Sequence, residues 1–139
     1  MEPGTAYVSL DFDGEDRFQR LRKELGLTTF GLNLLRLRPG QGSRIHRHER
    51  QEEAYLVLDG TLTLEIDGES PRELARGDLA RVAPDVRRQL SNRTDAPLYV
   101  LAMGGSLEHD GRDGRAYGSW EEEGGGRSPA DVPLPEGIR

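Results

Sequence analysis

The 139-residue chain reads as an all-β domain, a barrel or two-sheet jelly roll with one short N-terminal helix and an irregular C-terminal tail. Three observations predict this. Between residues 29 and 103, short apolar-alternating runs recur with turn residues between them. Two of those separators, Asp59-Gly60 and Asp67-Gly68, are Asp-Gly pairs, the strongest short-range hairpin signal. Hydrophobic residues are 34% of the chain, enough for a small core, and no run approaches the roughly 18 apolar residues of a membrane-crossing helix.

The elements follow in order. Residues 1–28 are expected to hold a strand and a short helix. The helix is predicted over 15–25, because Phe18, Leu21 and Leu25 fall at i, i+3 and i+7 and make one apolar stripe. Asp13 is placed to cap its start and Gly26 to end it. Strands are then predicted over 29–37, 43–48, 54–58, 61–66, 72–75, 79–82, 87–91 and 98–103. Closing eight short strands into a barrel or two facing sheets buries one side of each and limits open edges. Residues 104–139 change character, with glycine pairs and triplets, a Glu121-Glu122-Glu123 run and closely spaced prolines, and are expected to form a loose tail. Within it, Tyr117 and Trp120 are expected to act as a hydrophobic clip.

Composition narrows the function. The net charge of −6 disfavours nucleic-acid binding, and the absence of Cys excludes disulfides, thiolate metal sites and cysteine nucleophiles. Met1-Glu2-Pro3-Gly4 has no basic or apolar leader character. A soluble, cytoplasmic protein with a small-molecule partner, and neither nucleic acid nor membrane, is the expectation. Lys23 is the single lysine among 19 basic residues, a bias consistent with a GC-rich bacterial genome.

Chemistry concentrates between Gly40 and Gly60. On a strand His46 and His48 project from one face, with Ile45 and Arg47 on the other. Glu53 follows a short charged turn, and a hairpin there would bring it opposite the two His. Two imidazoles and one carboxylate make a facial triad suited to Fe(II), Mn(II), Ni(II) or Zn(II). The other histidine, His109, lies in the tail.

This stretch resembles the first motif of the cupin superfamily: a Gly, five residues, His-x-His, four residues, Glu, six residues, Gly, here Gly40, His46, His48, Glu53 and Gly60. A second motif of that superfamily is matched in frame by Gly77, Pro84 and Asn92. Asp85 stands where its turn glycine is usual, and Arg88 where its metal-binding His is usual. The resemblance covers about residues 29–103. It implies a small double-stranded β-helix barrel of six to eight strands, often dimeric, with a metal in its mouth.

Arg88 decides how much function follows. A guanidinium has no lone pair to donate and stays charged, so it cannot be the fourth ligand. In one outcome His46, His48 and Glu53 hold a metal and Arg88 anchors a substrate carboxylate beside it. At about 6 Å and an effective dielectric near 20, repulsion between +1 and +2 is on the order of 5 kcal/mol, which an intervening anion would relieve. In the other outcome Arg88 pairs with Glu53 and occupies the cation's place. Tyr55 shares a strand face with Glu53 and reads equally as a pocket hydroxyl or a core aromatic. Asn33 reads as pocket or outer face. Gln51 and Gln89 are expected at surface positions, Glu52 in solvent, and Arg81 and Arg87 on the outer face. The functional expectation is a metal-dependent oxygenase or isomerase acting on a small anionic molecule, with Arg88 and Tyr55 as substrate-binding residues and no catalytic residue assigned. The alternative is a non-catalytic small-molecule-binding cupin built on the Arg88–Glu53 pair. A purely structural pair, with function in the tail or an oligomeric surface, is the third.

Overall fold

The computed structural model describes residues 4–105 and 113–139, and His109 lies outside them. The described strands form two antiparallel sheets of five. In spatial order the first sheet is β1 (Phe18–Gln19), β2 (Phe30–Leu37), β9 (Leu98–Gly105), β4 (Glu52–Asp59) and β7 (Leu79–Val82). The second is β10 (Gly114–Tyr117), β3 (Ile45–His48), β8 (Arg88–Ser91), β5 (Leu62–Ile66) and β6 (Arg72–Leu74).

The period-two pattern explains the core. Leu35 and Leu37 from β2, Tyr55 and Val57 from β4, and Leu98 and Val100 from β9 meet Leu62, Leu64 and Leu90 of the second sheet. Each such side chain contributes roughly 1.5–3 kcal/mol on burial. The turn from β4 to β5 depends on Gly60. Its φ is +88°, and a Cβ there would sit 2.5 Å from the Pro97 carbonyl oxygen.

Two expectations are corrected. The helix, α1, covers only Leu21–Leu25. Phe18 and Gln19 instead pair with Leu35 and Leu34 as the edge strand β1. Backbone pairing along β2, reinforced by Gln19 bonds to Ser9 and Glu24, outweighs a single apolar stripe. Arg20, not Asp13, occupies the position before the helix, while Gly26 does end it, at a φ of 72°.

The second correction concerns the C-terminal segment, which is ordered where it is described. β10 pairs with β3 along its length, from Gly114 opposite His48 to Tyr117 opposite Ile45. Tyr117 is buried, and its hydroxyl accepts from Arg47 Nε at 2.9 Å and donates to the Gly124 carbonyl at 3.1 Å. Trp120 is half-buried. Farther on, Arg17 donates to the carbonyls of Gly42 and Pro135 at 2.7 and 2.8 Å and pairs with Glu136. The Ile138 N–H donates to the Gly40 carbonyl at 2.9 Å. The segment is held mainly by backbone and arginine hydrogen bonds, which a hydropathy pattern does not record. Among the described residues, no helix is long and apolar enough to cross a membrane.

Candidate metal centre

The site lies between the sheets. β3 pairs with β8 and β10, whereas β4 pairs with β7 and β9, so the expected hairpin between β3 and β4 does not form. The 49–51 turn crosses instead from one sheet to the other. Asp113 holds that turn: its carboxylate accepts the N–H groups of Arg50 and Gln51, both at 2.9 Å. His46 and His48 therefore face Glu53 across the gap.

The three ligand atoms converge within 4.8 Å of one another. Glu53 Oε1 lies 3.0 Å from His48 Nε2 and 3.6 Å from His46 Nε2. Metal–ligand bonds of about 2.0–2.2 Å at angles between right and tetrahedral put donor atoms roughly 3.0–3.5 Å apart. The His48–Glu53 separation is in that range and the 3.6 Å His46–Glu53 separation is just outside it, so the cluster could hold a transition-metal ion. His46 Nδ1 is 2.8 Å from the Arg44 carbonyl, a contact that leaves Nε2 to face inward. His48 Nδ1 is 3.3 Å from Asp113 Oδ2.

Arg88 stands directly across from His46 in the β3–β8 register and is 0% exposed. Its Nη2 donates to Glu53 Oε1 at 2.7 Å and its Nε to the Tyr55 hydroxyl at 3.2 Å. Its Nη1 faces the carbonyls of Val86, Pro84 and Ala83 at 2.7, 3.0 and 3.3 Å. Tyr55 is buried and donates to the same Glu53 oxygen at 2.5 Å. Burial opposes ionisation of Glu53, but the hydrogen bonds and charges of His46 and His48 more than offset it and hold the carboxyl well below its ordinary range. Burial and then the Glu53 charge push the Tyr55 phenol well above its usual value, so it stays protonated at neutral pH. Burial lowers Arg88, but Tyr55 and Glu53 outweigh it and raise its pKa.

A cavity of about 200 Å³ opens over the triad, with Phe18, Leu35 and Pro129 on its apolar wall and Asn33 and Tyr55 on its polar side. The cation lining it is Arg44; Arg88 is not on its wall. Arg44 lies just before β3, two residues ahead of His46, and Ser43 beside it also lines the cavity. Burial, then neighbouring Arg17, lowers its pKa. Asp113 carries no sequence signal, because the β10–β3 pairing that delivers it is long-range.

The other polar positions divide. Gln51 and Gln89 are buried, contrary to expectation, and Gln89 Nε2 donates to the Ser43 carbonyl at 3.1 Å. Glu52 is exposed and paired with Arg81. Arg87 is half-buried, 2.9 Å from Asp67 and 4.7 Å over the Tyr117 ring. Asn92 is fully buried and donates to the Leu37 and Ala96 carbonyls at 3.0 and 2.7 Å.

The fold and these residues can be set beside known proteins. The cupin domain profile matches residues 33–104, just over half of the chain. A cupin protein of Bacteroides fragilis is 32% identical, with 78% of this chain and 92% of that one covered and a TM-score of 0.65. A sugar phosphate isomerase of the cupin superfamily from Silicibacter pomeroyi is 38% identical over 64% of this chain, with a TM-score of 0.59. The match spans 58% of that protein's length. The cupin domain of an XRE family transcriptional regulator from Enterobacter cloacae is 26% identical, with 64% and 94% coverage and a TM-score of 0.57. No curated protein matches significantly. With two facing antiparallel sheets, a His-His-Glu cluster between them and a family profile across both motifs, the chain belongs to the cupin family.

Proposed function

We propose that the protein is a metal-dependent enzyme, an oxygenase or isomerase, that acts on a small anionic molecule in the cavity over His46, His48 and Glu53. The observation that carries this is the convergence of three ligand atoms at metal-binding separations on the floor of that cavity. The donor set suits Fe, Mn, Ni or Zn as a divalent ion, and such an ion supplies Lewis acidity or a platform for O2. The similarity to a sugar phosphate isomerase favours isomerisation.

The chain's own residues have distinct parts in this scheme. Tyr55 and Arg88 both donate to Glu53 Oε1 and orient the carboxylate. Arg88 spends its remaining donors on Tyr55 and backbone carbonyls, so its role is to hold Glu53 and not to meet the substrate. Arg44 takes over the anchoring of the substrate anion. It lines the cavity, its Nε donates to the Val132 carbonyl, and it has no carboxylate partner among the described residues. Phe18 and Leu35 keep water from the substrate. At about 200 Å³ the cavity suits a small molecule. A homodimer, the assembly suggested by the family resemblance, completes the picture.

One observation favours a second function. The 2.7 Å Arg88–Glu53 pair neutralises the carboxylate and places a fixed cation beside the His pair. In that case the barrel binds a small molecule without metal or turnover. Elemental analysis of untagged protein purified without chelator separates the two. Near-stoichiometric metal, lost in His48→Ala, is the expected result. Protein that stays metal-free after incubation with each ion rules out the enzyme, and ligand-induced stabilisation without turnover then marks the second function.

A further inference from the structure

We propose that Asp113 is a positioning residue for the metal site: its carboxylate takes the Nδ1–H of His48, fixes the tautomer whose Nε2 is free to bind metal, and restores the negative charge that Arg88 removes. The inference rests on the metal-binding function proposed above.

Asp113 is 5% exposed and lies just before β10. Each of its carboxylate oxygens accepts a turn N–H, Oδ1 from Arg50 and Oδ2 from Gln51, so the group is held rigidly. Oδ2 is also 3.3 Å from His48 Nδ1. That nitrogen is buried and has no aligned hydrogen bond. A buried imidazole N–H without a partner is costly, and Oδ2 needs only a small approach to reach the usual range of about 2.7–3.2 Å. On the ring's other side, Nε2 is 3.0 Å from Glu53 Oε1. His48 can give its proton to one carboxylate or the other. Giving it to Asp113 leaves the Nε2 lone pair pointing at the triad centre. Outer carboxylates of this kind typically change metal affinity 10–100-fold.

Charge points the same way. Glu53 and Arg88 form a neutral pair, so alone they offer an incoming divalent cation no net attraction. Asp113 adds a carboxylate behind His48; Arg50 Nε lies 3.9 Å from its Oδ1, but that side chain is 65% exposed and solvent screens it. The arrival of Asp113 there is a property of the fold, because it depends on β10 pairing with β3.

Zn2+ affinity by chelator competition, on metal-stripped full-length protein, tests the proposal together with ring 15N NMR of His48. Asp113→Asn is expected to weaken Zn2+ binding about 10–100-fold. Glu49→Gln removes from the same turn a carboxylate that pairs with Arg47 and Arg115, and is expected to change it less than about 2-fold. In the metal-free protein Nε2 faces the Glu53 carboxylate at 3.0 Å, so the readout is taken on the Zn2+-loaded wild type, where the His48 Nδ1–H is expected to show the downfield shift of a proton bonded to a carboxylate. That signal needs no variant, so it stands even if Asp113→Asn disturbs the turn. Wild type that binds Zn2+ no more tightly than Asp113→Asn, or a Zn2+-loaded wild type whose His48 Nδ1–H lacks that shift, overturns the role of Asp113 and leaves the metal site standing. Wild type that takes up no Zn2+ overturns both.

Discussion

Two stretches build the floor of this barrel, 40–60 and 77–92, and they use polar residues in opposite ways. In the first, His46, His48 and Glu53 keep their functional atoms directed at a shared point beneath a cavity. In the second, Arg88 and Asn92 are fully buried and spend their donors on backbone carbonyls, Tyr55 and Glu53. Both occupy a strand or strand end facing the interior. The difference is where the polar atoms point: Glu53 accepts from Tyr55 and Arg88 yet meets the two imidazoles at the cavity, whereas Arg88 and Asn92 are closed off from it. Satisfied donors stabilise a fold; converging lone pairs under open space are what a ligand can use.

That contrast can be broken by substitution. The largest effect is expected from Arg88→Met. It strands Glu53 and Tyr55 in a buried setting and leaves three carbonyls without a donor, so urea unfolding should show a loss of about 3–5 kcal/mol. A loss below about 1 kcal/mol would mean that Arg88 is not structural. His48→Ala should do the reverse: folding stays near wild type, while metal affinity drops on the order of 100-fold or more, read by chelator competition. Equal loss of stability in both variants would erase the distinction between the stretches.

Asn92→Ala is the next in size. Its amide bonds to Leu37 and Ala96 are buried, and removing them should cost about 1–3 kcal/mol by denaturant midpoint with metal affinity unchanged. The smallest effect is a pH dependence. The folded Glu53 carboxyl lies below its ordinary value of 4.5, so its ionised form stabilises the metal-free protein fully above that pH. The contribution is lost as pH falls through the lower folded value. Acid unfolding should flatten in Glu53→Gln and stay as in wild type for Glu52→Gln, whose carboxylate is exposed and paired only with Arg81.

Much of the site is legible in the sequence. His46, His48 and Glu53 stand at the spacing of one motif, and strand alternation puts both imidazoles on one face. Arg44 precedes that strand, and nothing about a lone arginine marks it as a cavity residue. The place of Arg88 at the ligand position follows from the second motif. Which of its donors meet protein does not follow, because that depends on where the 83–86 carbonyls turn. The helix boundary departs from its pattern for a related reason. Phe18 has helical spacing with Leu21 and Leu25, but the free edge of β2 offers its backbone partners that no local pattern records.

By itself, the sequence determined the all-β fold and picked out the three residues that could hold a metal. Those are consequences of local period, turn chemistry and ligand spacing, all encoded within a few residues of one another. Only the tertiary structure decided that the imidazoles and the carboxylate come from different sheets. It also decided that Arg88 is sealed from the cavity, and that a polar C-terminal segment returns to place Asp113 against His48. Each of these rests on pairings between residues tens of positions apart, where backbone hydrogen bonds and burial, rather than side-chain pattern, choose the partner.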